Sequence, residues 1–378
     1  MRQTNRAVFL DFNATVPAKP LVRETVTQIM NAPCNASAVH KFGRTARMQV
    51  EDARRKVAEA LNTPPETIIF TSGAPEANNT VFMNYFDLPI LVSAIEHPTV
   101  ARAVPDDIQL PLPVDNNGLL DLDVLEARLQ EVEAPALISV IWVHNETGVI
   151  QPMDKIADLA KKYGAILHTD ASQAFGKVEI DILKHGFDMV TVSSHKIGGP
   201  QGVGALIVKD GLEFAPFIVG GGQEKFRRAG TENVAGIAGF GVAAELAVKE
   251  MSEYRKLADL RDKIQNAILD HASNAVIFSK DVERSSNTLM FAVPDMNADA
   301  TVIALDLEGI AVSSGSACSS GKVSPSRSLQ AMGVSEELAK CSIRVSLGWS
   351  TKPEDADAFI DSWKKIYDRV TSKEKQEA

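Results

Sequence analysis

Cysteine is scarce in this 378-residue chain, which has only Cys34, Cys318 and Cys341. An odd, small number without paired spacing excludes a disulfide framework and fits a reducing compartment. Positive charge is also in deficit. Lys and Arg number 39 against 49 Asp and Glu, a net charge of −10, so no basic face for nucleic acid is expected. No apolar run approaches the roughly 18 residues that a membrane helix needs. The nearest, 234–248, is broken by glycines and Glu245. The first residues, MRQTNRAVFLDF, enter a strand-like run at once, so no signal or transit peptide is expected and the location read from the sequence is cytoplasmic. Internal repeats and low-complexity segments are missing as well. An apolar share of 45% and a charged share of 23% are ordinary for a soluble globular protein. The length allows two domains, one of them large.

Short apolar runs alternate with helical patterns from about residue 45 to 210. Strands are expected at 68–70, 90–93, 137–143, 165–168, 189–192 and 205–208, with helices such as 46–61, 122–130 and 153–163 between them. Such alternation implies an α/β fold with a mainly parallel sheet covered by helices on both faces. A long helix, bent near Ser252, is expected over 235–270. Strand-like runs at 276–278, 288–293, 310–312 and 343–347 then mix with helices at 300–307 and 355–366, as in a smaller α+β domain. In open parallel sheets ligands bind outside the carboxyl ends of the strands. The residues that follow the strands are Ser72 and Gly73, Glu96 and His97, Asn145 and Glu146, Asp170, and Ser193 to Lys196.

The stretch DMVTVSSHKIGGPQGVGAL places Lys196 where a buried strand gives way to a glycine-rich turn. Partial desolvation there favours the neutral amine, which can form a Schiff base with an aldehyde. Ser193 and His195 beside it could donate hydrogen bonds to a phosphate. A lysine next to phosphate donors suggests pyridoxal phosphate; a solvated surface turn is the plainer alternative. Asp170 lies 26 residues before Lys196, about one helix and one strand. Adjacent strand ends would then bring a carboxylate to the lysine, and a pyridoxal ring needs that pairing to keep its nitrogen protonated. His97 could stack on a ring or shuttle protons over the same crevice. In TSGAPEANN a glycine precedes a helix-like start whose N–H groups could cradle a phosphate.

Two motif matches fail on context. GFGVAA, 239–244, has no strand before it and sits inside a helical pattern, so it is no dinucleotide fingerprint. GSACSSGK, 315–322, is one residue too long for a P-loop, and Val323 stands where Ser or Thr should hold magnesium. The latter segment instead draws attention to Cys318. Small residues flank it on both sides and cannot pack a core. An exposed thiol in a reduced protein is a candidate nucleophile, with an incidental surface cysteine as the alternative.

Taken together, these residues resemble the cysteine desulfurases of the NifS/IscS type, in the class V aminotransferase group of fold-type I pyridoxal-phosphate enzymes. The blocks LDFNAT, TSGAPEANN, EHPTV, HNETGVIQP, HTDASQAFGK, SSHKIGGPQGVGAL, GGGQEKFRRAGTENVAGIAGFG, SSGSACSSGK and SIRVSLG occur in the family's order across nearly the whole chain. The resemblance implies a large cofactor-binding domain over 15–255 and a small domain from 1–14 and 256–378 that carries the Cys318 loop. It implies that Lys196 holds pyridoxal 5'-phosphate, Asp170 pairs with the pyridine nitrogen, and Gln173 and Asn145 lie near the phenolic oxygen. His97 would stack on the ring and assist proton transfer. Gly73, Ala74, Ser193 and His195 would hold the phosphate, and Thr231 would reach the phosphate of a neighbouring subunit, which implies a homodimer. Arg344, with Asn13 and Asn145, would bind the substrate, L-cysteine. Cys318 would take its sulfur as a persulfide, leaving L-alanine, and pass it to an acceptor or iron–sulfur scaffold protein. A transient iron–sulfur cluster shared with that partner through Cys318 belongs to the same expectation. Selenocysteine lyase, an aminotransferase and a non-catalytic sulfur-carrier-binding scaffold are the other readings. One departure stands out. Where the family usually has threonine, this chain has Pro75, which offers the phosphate neither hydroxyl nor N–H.

Overall fold

Strand β1 (Val8–Phe9) opens the chain, and β2 (Ile68–Thr71), β3 (Ile90–Ser93), β4 (Gln109–Leu112), β5 (Leu137–Ser139), β6 (Ile166–Asp170), β7 (Met189–Ser193) and β8 (Gly204–Val208) follow. The computed structural model describes residues 7–132, 135–315 and 325–377. Strands β2 to β8 form one sheet in the order β2-β8-β7-β6-β5-β3-β4. Neighbours from β4 through β7 are parallel, and β8 runs antiparallel to both β7 and β2. Every residue of β2, β3, β7 and β8 is buried. Strands so buried must be covered on both faces, which their unbroken Val, Ile and Leu runs require.

The helices that cover one face owe their closeness to glycine. Helix Val234–Lys249 packs on Lys41–Ala60 and Pro20–Met30. A Cβ on Gly241 would stand 2.6 Å from the Ala53 Cα, and one on Gly239 would stand 2.7 Å from Val26 and Pro200. GFGVAA is thus a helix-packing stripe and binds no dinucleotide. The long helix expected over 235–270 is three: Val234–Lys249, Met251–Arg255 and Leu257–His271.

The strand expected at 137–143 leaves the regular ladder after Ser139 and turns back on itself. His144 N–H donates to Val149 O at 2.9 Å, and Gly148 takes φ +80° where a Cβ would meet Thr288 at 2.8 Å. That turn carries Asn145 over the end of the sheet. Strand β4 escapes the alternation pattern because Pro111 interrupts it. Proline is tolerated there because β4 is an edge strand, paired only to β3.

A second sheet follows, built from β9 (Val276–Ile277), β10 (Thr288–Ala292), β12 (Ser313–Ser314) and β13 (Ser342–Ser346) in the antiparallel order β12-β13-β10-β9. Strand β11 (Ile310–Ala311) pairs instead with β1, in parallel. Leu289, Phe291, Ile343, Val345, Phe359 and Trp363 form a separate apolar cluster beneath this sheet. Helix Pro353–Glu377 lies against it. Among the described residues, no helix is long and apolar enough to cross a membrane.

Candidate active site

Five strand ends and one strand of the second sheet converge on a cavity of about 520 Å³. After β2 the chain supplies Ser72, Gly73 and Ala74; after β3, His97; after β5, Asn145; the end of β6 supplies Asp170 and the turn beyond it Gln173; the end of β7 supplies Ser193 and the turn beyond it His195 and Lys196. Arg344 enters from the middle of β13, and Asn13 comes from the segment after β1. All of these line the one cavity. Thr231 does not; it lines a smaller cavity of about 150 Å³ beside Glu224 and Arg228. Cys318 lies outside the described residues. Among the described residues no group of three or more His, Cys, Asp or Glu could hold a metal ion. A further cavity of about 460 Å³ opens beyond Lys196, walled by Phe12, Phe175, Tyr254 and Trp349. The strand-end carboxylate and serines belong to the first cavity.

Gly73 sits at φ +149°, a backbone that a side chain would strain, and caps helix Ala74–Met83. Gly204 on β8 lets this turn approach; its Cβ would come within 2.8 Å of the Gly73 Cα. The helix start therefore points its first N–H groups and dipole into the cavity. Pro75 takes the second helical position, so one of those donors is missing.

Asp170 is held from two sides. Ser172 N–H donates to Oδ1 at 2.9 Å and Asn78 Nδ2 donates to Oδ2 at 2.9 Å. The same Asn78 amide donates to Thr99 Oγ1 at 3.0 Å, and Thr99 Oγ1 lies 2.9 Å from His97 Nδ1. The Thr99 backbone N–H also donates to that nitrogen at 3.3 Å. These partners assign Nδ1 as the acceptor and leave the proton of the neutral ring on Nε2. Burial pushes the His97 pKa below the ordinary value; Lys196 and Arg344 push the same way against Asp170. Burial, then Lys196, brings His195 down to about 4, so it too is neutral near pH 7.

Lys196 Nζ donates to the main-chain oxygens of Asn13 at 2.5 Å and Ala14 at 2.9 Å. Arg344 donates from Nη1 to Asn145 O at 3.0 Å and from Nη2 to Asp11 Oδ1 at 2.7 Å. Its Nε and the hydroxyl of Ser172 are buried with no partner among the described residues. Beside the site, burial drives the Glu96 carboxyl well above the ordinary carboxylate range, and Asp170 adds to it. The Glu96 carboxyl accepts from the Ile141 N–H.

These features fit a phosphorylated pyridine aldehyde. A helix start, Ser193 and His195 face a phosphate; a fixed buried carboxylate suits a ring nitrogen; an amine beside them suits an aldehyde. Arg344 suits a carboxylate on an amino-acid substrate. Sequence reasoning missed Asn78, Thr99 and Ser172, whose signal was their place inside the quoted blocks. It also missed Asp11.

A family model described as Aminotransferase class-V matches residues 8–359. A protein of Dictyoglomus turgidum named cysteine desulfurase IscS is 38% identical over 97% of this chain and 95% of its own. The solved structure of a NifS-like protein from Rickettsia africae superposes with a TM-score of 0.90 at 38% identity, covering 96% of this chain and all of that one. A structure titled SspA in complex with cysteine superposes with a TM-score of 0.76 at 30% identity, covering 90% of this chain and 98% of that one. The chain belongs to the aminotransferase class-V family and, within it, to the cysteine desulfurases.

Proposed function

We propose that the chain converts L-cysteine to L-alanine with pyridoxal 5'-phosphate and moves the sulfur through Cys318 to acceptor proteins. The observation that carries this is the single cavity shared by Lys196, Asp170, His97 and Arg344. Lys196 holds the cofactor aldehyde, and Asp170, fixed by Ser172 and Asn78, keeps the pyridine nitrogen protonated. Gly73, Ala74, Ser193 and His195 hold the phosphate. Bound pyridoxal phosphate supplies an electron sink for the charge left when the substrate loses its α-proton. Arg344 binds the substrate carboxylate, assisted by Asn13 and Asn145. His97 moves a proton at Nε2, and its neutral ring is suited to that near pH 7. The Cys318 thiolate then attacks the substrate sulfur. The C–S bond breaks, its electron pair stays on the β-carbon and is protonated, and Cys318 becomes a persulfide.

Thr231 lies outside the cavity of its own chain, which suits the reading that it completes the site of a second copy in a homodimer. The pairing of β1 with β11 supports counting 1–14 with 256–378 as a small domain, and 15–255 as the large one. A cytoplasmic enzyme feeding iron–sulfur cluster assembly or thiolation follows from the same reading. So does a cluster held transiently between Cys318 and a scaffold partner. The test is direct. Purified chain incubated with pyridoxal phosphate should gain a visible absorption band and release alanine and sulfur from cysteine in equal amounts. A colourless chain that releases no alanine overturns the proposal.

Pro75 adds a prediction of its own. Pro75→Thr restores an N–H and a hydroxyl at the helix start. A hydrogen bond to a charged group contributes about 1.5 kcal/mol, so loss of cofactor should slow about tenfold. Decay of the visible band after dilution into a cofactor scavenger measures this. An unchanged rate would show that Pro75 costs the site nothing.

A further inference from the structure

Beneath the cavity lies a lysine to which neither the family resemblance nor the proposed steps give a role. Lys177 is 6% exposed, although lysine is almost never buried without an ionic partner. Its Nζ donates instead to two neutral amide oxygens, Gln173 Oε1 at 2.5 Å and Asn13 Oδ1 at 2.8 Å. Gln173 stands four residues earlier in the turn that follows β6. Lys177 does not line the cavity, whereas Gln173 and Asn13 do. Its hydrogen bonds reach that cavity through them.

We infer that Lys177 is a positioning residue: its buried amine locks the Gln173 amide with the NH₂ end toward the cavity and anchors the Asn13 side chain. The lock follows from hydrogen-bond complementarity. With Oε1 occupied by Lys177, Gln173 Nε2 is left to donate, and it does so to Asn13 O at 2.9 Å. Turning the amide over would set Oε1 against the Asn13 carbonyl oxygen, two acceptors face to face, and would take from Lys177 the acceptor that its N–H now uses. Asn13 is held by the same hand. Its Oδ1 also receives Asn287 Nδ2 at 3.0 Å, and its own Nδ2 donates to Asn145 O at 3.1 Å and Thr288 Oγ1 at 2.9 Å. Its main-chain oxygen accepts Lys196 Nζ, as that of Ala14 does. Lys177 thus sets two things the site depends on, the donor direction of Gln173 and the seat of Lys196.

The charge state agrees with this geometry. Burial pushes the Lys177 amine well below the ordinary lysine range, and the cations Lys196 and Arg344 add to that. A neutral amine has two N–H groups, and two acceptors face it. In its neutral form it adds two hydrogen bonds under the site without a further positive charge.

This inference rests on the desulfurase reading, and its test separates the two. The readout is the pH midpoint of the visible band given by cofactor bound at Lys196, measured on wild type and Lys177→Met holoenzyme. A free Gln173 amide no longer reliably donates toward the ring oxygen, so the Lys196 nitrogen keeps its proton to higher pH. The midpoint should rise by about one unit, and the cofactor dissociation constant by about tenfold. Gln173→Leu should shift the midpoint likewise, and the double variant by clearly less than the sum of the two, because the larger part of both effects runs through one amide. A lowered melting temperature with an unmoved midpoint, or additive shifts in the double variant, overturns the inference and leaves Lys177 a packing residue. If Lys177→Met does not fold, Lys177→Gln, which retains one donor group, should show a smaller rise; no rise overturns the inference. A wild-type chain with no visible band sinks the desulfurase reading itself.

Discussion

Lys196→Ala is expected to abolish the covalent visible band and to lower alanine release by about four orders of magnitude. That is the upper end of what removal of one positioned proton-transfer group costs, and in the proposed reading Lys196 also carries the attachment. The rest of the site should survive. Asp170 keeps both of its donors, and Arg344 keeps Asn145 and Asp11. The carbonyl oxygens of Asn13 and Ala14 lose a donor, but both residues line the cavity, where water can replace it. Folding stability should therefore change little, and the apo chain should still take up the cofactor reversibly with weakened affinity. Absorbance after gel filtration and alanine release measure the two effects. Retention of more than about a tenth of wild-type turnover would remove Lys196 from the role assigned to it.

How much of this could be read from residues alone depends on the kind of constraint. Strands β3 and β7 were legible because both faces are buried, so their sequences are unbroken apolar runs. The rule for carboxyl ends then pointed to Asp170 and Lys196 together, and the structure places both on one cavity. Arg344 was not legible in that way. It sits in mid-strand, on a sheet whose approach to the first depends on tertiary packing, and only the family resemblance singled it out. The turn after Ser139 was hidden because Val140 to Val143 remain apolar and buried while the backbone leaves the ladder. The break of the long helix into three near Glu250 and Lys256 was seen only as a bend, since charged exposed residues carry no periodic signal there. Partners such as Asn78 and Thr99 were out of reach for a different reason. A hydrogen bond between residues 78 and 170, or 99 and 97, leaves no mark on composition or period.

Cys318→Ala should separate cofactor chemistry from sulfur transfer. The variant is expected to hold pyridoxal phosphate with its colour unchanged and to alter that colour when cysteine is added. In the proposed reading Lys196, Asp170 and Arg344 do those tasks, and none depends on the thiol. Alanine release should fall by about 10³-fold or more, as removal of a nucleophile does elsewhere, and no protein-bound persulfide should form. The described residues on both sides of the segment that carries Cys318 are held near this site. Ser313 pairs with Arg344 itself in the second sheet, and Gly315 N–H donates to Ser342 O at 2.9 Å on the same strand. On the other side Ser326 Oγ donates to a carboxylate oxygen of Glu146, the neighbour of Asn145. Burial holds that carboxyl up at about 7 against the pull of Ser326 and Arg344. The chain is thus fastened beside the cavity on either side of the thiol. Mass spectrometry of the protein after one turnover, together with alanine release, reads the outcome. A coloured Cys318→Ala chain that still made alanine at the full rate would mean that sulfur leaves without this thiol, and the persulfide route would have to be given up while the roles of Lys196 and Asp170 stood.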